Sequence, residues 1–383
     1  MTMQHQTQNP FRYGAKVTGG AFYDRREIKN SMENAIDGGN NVVLYGPRRY
    51  GKSSLVAEMM TELQARGTVC VYLNIMNFAS LADFVMAYTK AVYDQLAPAA
   101  AALKHISGFF RRIRPVVRMS EDGRPEMSFS FDSGKIGVAE LREAFELPEK
   151  LRPRRSRLVI VLDEFQEVAE FGLGARFEQV MRSVIEKHSE IGYVFLGSKT
   201  HMLKRMFAAP SRPFYRSAQT FSLALPPEDE GLKFLVDKFA SVGMSIGAPV
   251  AKKIVELSGN VPYYLQALGS WTFRVASELR KNKISAADVD NAFEMMYDAE
   301  RDLFESMFRA LPESQRLVAR ALALEPAGVM TDEYRTRHFL PNASTVGTAI
   351  RRLVADSRID MVDGLYRHLD PVFAHHLRRT SPM

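Results

Sequence analysis

Gly46-Pro47-Arg48-Arg49-Tyr50-Gly51-Lys52-Ser53 is the stretch on which the fold turns. It has the spacing G-x-x-x-x-G-K-[ST], with an apolar β-branched run, Asn41–Tyr45 (NVVLY), before it and a helical stretch, Ser53–Arg66, after it. Glycines at this spacing let the backbone curl until successive N–H groups point into one cavity at a helix N-terminus, where the dipole favours an anion. Lys52 is then placed to reach the outer phosphates of a nucleotide and the Ser53 hydroxyl to ligate Mg2+, with Gly46, Pro47, Arg48, Arg49, Tyr50, Gly51 and Ser54 forming the rest of the cradle. A glycine turn that only caps a helix is the bland alternative, and the strand–loop–helix context argues against it.

Working outward, four more short apolar runs follow: Val69–Ile75, Leu158–Asp163, Tyr193–Gly197 and Phe221–Leu225. Several are apolar on both faces, as strands of a parallel sheet covered by helices must be. Helical stretches lie between them at Leu81–Leu96, Phe177–His188 and about His201–Ala208. Strands alternating with helices predict βαβ units and an open, twisted α/β domain over residues 1–225. One segment breaks the alternation, residues 104–157, where Val116–Met119 and Met127–Phe131 flank Glu121-Asp122-Gly123. It predicts an inserted β-hairpin and then a helix near Val138–Phe145. Beyond Pro226-Pro227 the periodicity is helical, giving a lid subdomain over 226–308 in which Ser285 and Asp288 have capping-box spacing. Residues 309–383 predict three helices and then a hairpin with Asp363-Gly364 at its tip, the winged form of helix-turn-helix.

Two acids complete the candidate site. Asp163 and Glu164 end the run Leu158–Leu162, and a carboxylate at a strand tip beside a phosphate loop can hold Mg2+ while its neighbour activates or orients water. Ser198, at the end of the fourth run, is suited to positioning that water near the γ-phosphate. Arg216, like Arg212, precedes the fifth run; it either stabilises charge on the transferring phosphoryl group, in cis or from a neighbouring subunit, or is a solvated surface arginine.

Composition excludes more than it assigns. The 383 residues are 46% hydrophobic and 25% charged, which suits globular domains and not disorder or coiled coil. A single cysteine, Cys70, rules out an intrachain disulfide framework. The opening MTMQHQTQNP lacks the apolar core of a signal peptide and no run has membrane-spanning length, so a cytoplasmic protein without membrane contact is expected. The net charge of +7 leaves room for anionic partners, but the basic residues are mixed with acids along the chain.

Taken together, these landmarks resemble the archaeal-type ATPase family within the AAA+/STAND class of P-loop ATPases, and more distantly the origin-recognition and replication-initiator ATPases. The matching stretches are Phe22-Tyr23-Asp24-Arg25-Arg26-Glu27, GPRRYGKSSL, VLDEFQE, FLGSK, RPFYR, SGNVPYYLQ and STVGTAIRRL…GLYRHLDPVF, which cover nearly the whole chain. The resemblance implies a five-stranded parallel sheet in the core domain, ATP or ADP as ligand, Arg25 or Arg26 with Phe22 on the adenine side, and Pro262 as a lid proline approaching the base. It marks Gln166 as typical of the family without assigning it a role, and it places Asn260 where the family has a second glycine, a position asparagine fills because it tolerates left-handed angles.

In the winged helix, Arg351 and Arg352 lie opposite Val346 and Leu353 and, with the wing residues Arg358 and Arg367, form a face that suits either DNA or a protein partner. A second basic, aromatic stretch, Phe109–Arg114, either contacts single strands or packs its rings inward. The expected activity is a slow ATPase working as a nucleotide-driven switch or remodelling factor, alone or as a homo-oligomer. The alternative is a nucleotide-binding scaffold with negligible turnover that docks on DNA or protein.

Overall fold

The computed structural model describes residues 8–16, 25–96, 113–119, 125–131, 136–153, 156–362 and 364–381. The chain divides into two compact units. One comprises Arg26–Gly46 and Leu55–Leu223; the other comprises Met1–Arg25, Pro47–Ser54 and Ala224–Met383.

The first unit is built on the expected five-stranded parallel sheet. Its strands are β1 (Val42–Tyr45), β2 (Val69–Asn74), β5 (Leu158–Asp163), β6 (Ile191–Gly197) and β7 (Gln219–Ser222), in the order β2-β5-β6-β1-β7. Every residue of β1 and β5 is buried, which is why both strands are apolar without alternation. All five run the same way, so their C-terminal ends line one edge, with Asn74 beside Asp163 and Tyr45 beside Gly197. Ligands of open α/β sheets bind at that edge. On one face Phe84, Phe145, Phe165, Phe177, Phe195 and Phe214 are fully buried and pack ring on ring, Phe165 and Phe195 at 4.6 Å.

The insertion contains the expected hairpin, β3 (Ile113–Met119) antiparallel to β4 (Pro125–Phe131), and its turn lies outside the described residues. Phe129 anchors it edge-on against Tyr93 at 5.7 Å. The helix that follows runs Val138–Leu151 and so continues past Phe145, carrying the buried Pro148 in its final turn. The basic residues Arg111 and Arg112 lie outside the described residues, as do Phe109 and Phe110. The last strand also differs from the expected Phe221–Leu225: β7 pairs two residues earlier, and Leu223 is buried just beyond it.

In the second unit the lid is formed by helices Glu228–Ala240, Ala248–Leu257, Pro262–Glu278 and Ala286–Arg309. Ser285 caps the last of these with the reciprocal Asp288 contacts anticipated from its spacing. A two-residue parallel pair, β8 (Ser245–Ile246) with β9 (Lys283–Ile284), fastens the loops. The segment Asn9–Tyr13 lies along helix Pro262–Glu278. Asn9 donates to the Ser270 hydroxyl at 2.9 Å, the Arg12 amide donates to Gln266 at 3.0 Å, and Phe11 is buried over Gly269. The winged helix has helices Glu313–Leu324, Asp332–Arg337 and Ala343–Ala355, then the wing β10 (Ile359–Val362) and β11 (Leu365–His368). One further helix, Pro371–Arg379, packs against the long lid helix, Phe373 against Phe304 and His376 hydrogen-bonded to the Tyr297 hydroxyl at 3.0 Å. No helix among the described residues is long and apolar enough to cross a membrane.

Candidate nucleotide site

The phosphate loop leaves the sheet at Gly46, whose N–H donates to the Gly197 carbonyl at 3.4 Å. A Cβ there would lie 2.8 Å from the Leu223 carbonyl oxygen, so only glycine lets β1 exit between its neighbours. Gly51 has φ +90 and Arg49 φ +69, the left-handed turns that curl the loop before the helix Lys52–Ala65 begins. Lys52 is buried and its ammonium donates to the Pro47 carbonyl at 2.9 Å, turned back over its own loop. Arg25 straps the loop from outside, donating to the Tyr50 carbonyl at 3.1 Å and the Ala224 carbonyl at 2.7 Å. Tyr50 is itself buried, and burial pushes its phenol up to about 12. Arg48 is exposed, whereas Ser53 and Ser54 are half-buried in the first helical turn.

Arg49 is directed away from a purely cradling position. Its guanidinium lies over the rings of Tyr263 and Tyr264, at 4.7 and 4.8 Å, and donates to Asp370 Oδ2 at 2.8 Å. Asp370 also accepts the Tyr264 hydroxyl and caps helix Pro371–Arg379 through the Val372 and Phe373 amides at 3.1 and 2.9 Å. Glu300 stands close to the pair, its carboxyl raised by burial. Pro262 is buried as the first residue of its helix, and the next amide, Tyr263, donates to the Arg49 carbonyl at 3.4 Å. Asn260 does adopt the left-handed angle, φ +53, and its side chain donates to the Pro226 carbonyl at 2.7 Å.

In the sheet unit the acidic tip is tightly organised. Tyr72 on β2 sits opposite Val161, so it shares a face with Asp163 two residues on, and its hydroxyl donates to Asp163 Oδ2. Asp163 is buried and its Oδ1 accepts the Glu164 amide at 2.9 Å. Glu164 is itself left-handed, at φ +53 and ψ +44. Such a backbone costs a non-glycine residue about 1–2 kcal/mol. It turns the Glu164 carboxylate onto the end of β6, where Oε2 accepts from the Ser198 hydroxyl at 2.8 Å, the Ser198 amide at 3.1 Å and the Gln166 amide at 2.7 Å. Asp163, Glu164 and Ser198 are thus assembled at the C-terminal edge of the sheet. Arg216 is not drawn into that cluster: it is exposed, has φ +54 and lies over Tyr215 at 5.2 Å. Its loop is pinned by Arg182, which donates to the Pro213 and Tyr215 carbonyls, and by an ion pair between Arg212 and buried Glu178.

A family model for an ATPase domain predominantly from Archaea matches residues 22–268. The chain belongs to that family. The part matched to this archaeal-type ATPase family spans the phosphate loop, the acidic tip and the lid as far as the first turns of helix Pro262–Glu278, and a second model, a probable winged helix domain, matches residues 302–379. The Walker-type ATPase of Pyrococcus abyssi superposes with a TM-score of 0.66 at 17% identity, covering 96% of this chain and 99% of that one. The ORC2 protein of Aeropyrum pernix, in its ADPNP–ADP complexes, gives a TM-score of 0.56 at 15% identity, with 92% of each chain covered. At these identities the likeness is one of fold. No curated protein matches the chain.

Three participants owe their places to partners that the motifs alone do not name. Tyr72 supports Asp163 from a neighbouring strand, and Gln166 touches Glu164 by a turn that spacing does not encode. Asp370 did leave a trace: Asp-Pro after the wing is a helix-start signal, although nothing local points to Arg49.

Proposed function

We propose that this ATPase binds ATP with Mg2+ and hydrolyses it slowly, as a nucleotide-driven switch or remodelling factor that works on DNA through its winged helix. The observation that carries this is the Glu164–Ser198 hydrogen bond beside buried Asp163, at the sheet edge where β1 passes into the phosphate loop. In this reading Lys52 binds the outer phosphates and Glu164 takes or orients the proton of the attacking water. The hydroxyl of Ser53 and the carboxylate of Asp163 are hard oxygen donors suited to Mg2+, which takes few protein ligands and completes its shell with phosphate and water. Pro262 and Arg25 frame the nucleotide from the lid and strap sides. Arg216, held outward on a pinned loop, supplies positive charge to the transferring phosphoryl group, in cis or to a second copy.

On the winged helix, Val346, Ala349, Ile350 and Leu353 are buried while Arg351 and Arg352 are exposed, which supports a DNA-facing surface continued by Arg367 and the half-buried Arg358 on the wing. Phosphate release with and without duplex DNA tests both halves of the proposal. Glu164→Gln should retain ATP binding and lose on the order of a hundredfold in turnover. Arg351→Ala with Arg352→Ala should weaken duplex binding and reduce its salt dependence by about one phosphate contact each. Unchanged hydrolysis in Glu164→Gln would sink the catalytic reading, leaving a scaffold that holds nucleotide.

A further inference from the structure

Gln166 is almost completely buried, two residues beyond Glu164, in the short helical turn Phe165–Phe171. Its Nε2 lies between two carboxylates, 2.7 Å from Glu164 Oε2 and 3.1 Å from Glu167 Oε1. Glu167 is in turn fixed by Lys199 at 2.9 Å. The amide orientation follows from this setting, since the opposite one would aim a carbonyl at two acids. The other end of the amide lies flat against β6. A Cβ on Gly197 would fall 2.0 Å from Gln166 Oε1 and 3.2 Å from its Cδ, so the glycine preceding Ser198 makes the room that Gln166 occupies. Gln166 Oε1 is buried there without a hydrogen-bond partner. A buried amide oxygen left unmatched is unfavourable, so what the site retains is the donor end of Gln166.

We propose that Gln166 is a positioning residue for hydrolysis: its amide, oriented by Glu167 and admitted by Gly197, holds the Glu164 carboxylate against the Ser198 amide and hydroxyl. Two donors from Ser198 reach Glu164 Oε2, and Gln166 supplies a third to the same oxygen. The water-directing acid is thereby held in one orientation before the reaction, without Gln166 touching nucleotide. This rests on the assignment of Glu164 as the acid that activates water.

The test uses the full-length protein, ATP as probe, and kcat and KM measured separately. Gln166→Leu and Gln166→Met both remove the donor while keeping an apolar side chain of similar reach, and each should lower kcat about tenfold or more with KM for ATP changed less than about twofold. Gly197→Ala crowds Gln166 and also the buried Leu203, which a Cβ would approach to 2.5 Å; where the variant folds it should reproduce the same split. Equilibrium ATP binding identifies a folded protein in each case, so that two variants stand behind any one that fails to fold. A wild-type kcat in a folded Gln166 variant overturns the proposal. Glu164→Gln is run beside them: if it keeps full turnover, the assignment of Glu164 has failed, whereas if it stops hydrolysis and the Gln166 variants do not slow it, positioning alone has failed.

Discussion

Ser198 presents both its amide and its hydroxyl to one oxygen of Glu164, at 3.1 and 2.8 Å. The strand end thereby acts as a two-pronged donor, of which substitution can remove only the hydroxyl. Ser198→Ala should therefore reduce phosphate release by about tenfold and leave ATP binding intact, a smaller effect than Glu164→Gln. A Ser198→Ala protein that hydrolyses ATP at the wild-type rate would exclude the hydroxyl from the reaction.

The carboxylate of Asp370 serves the Arg49 guanidinium, the Tyr264 hydroxyl and two helix amides at once. Asp370→Ala should destabilise the unit that contains the winged helix by about 2–4 kcal/mol, the sum of a lost helix cap and a lost charge-assisted hydrogen bond. Asp370→Asn keeps the cap and should lose about 1 kcal/mol. Denaturant melts of the two variants separate the contributions; equal losses would show that the charge alone matters and the cap adds nothing.

Phe11 occupies the space above Gly269, where an added Cβ would come within 2.6–2.9 Å of its ring. The ring also stacks edge-on with Phe239 at 4.9 Å. Gly269→Ala should cost about 1–3 kcal/mol by overpacking, and the same change in a Phe11→Ala background should cost little. Additive losses in the double-mutant cycle would mean that the segment Asn9–Tyr13 does not pack there in solution.

Acid should loosen the winged helix before the sheet unit. His368, His375 and His376 lie between or beside its packed helices, and burial lowers the pKa of all three, with nearby arginines adding to the effect. Carboxylates oppose the shift, Asp370 at His368, Glu294 at His375 and Glu305 at His376, but burial is the larger influence. Because the folded state holds these protons less tightly, their contribution is intact above about pH 6.5 and is lost as the pH falls toward the lowered values. The melting temperature should drop between pH 7.5 and 5.5, and His376→Gln should flatten that dependence. A flat profile in the parent protein would contradict the burial of these rings.

Much of this architecture is legible along the chain because burial and hydrogen bonding coincide there. In β5 all six residues are buried and all are paired, so the apolar run and the strand share their limits. At β7 the two separate. The edge strand pairs on one side through exposed Gln219 and Thr220, whereas the apolar run begins at Phe221 and ends in residues that pack after the strand has finished. Helix Val138–Leu151 runs past Phe145 through Pro148, which gives up one backward helix bond while its own carbonyl still accepts the Arg152 amide at 2.9 Å. Within the site, Lys52, Asp163 and Glu164 announce themselves by position relative to strands. Tyr72 and Asp370 are defined by partners on other elements, and Gln166 by a left-handed turn at Glu164 and by the room at Gly197, none of which a periodicity encodes.

The pairing of Arg49 with Asp370 spans 321 positions of sequence. On the ribosome the phosphate loop is therefore complete in sequence long before its arginine has a carboxylate to meet. Contacts of such separation are slow to close and form after local structure is in place. The loop that would receive nucleotide acquires its final anchoring only when the last helix of the winged domain has been made and has docked. Premature termination after the wing would leave every motif of the site present and Arg49 without the Asp370 carboxylate.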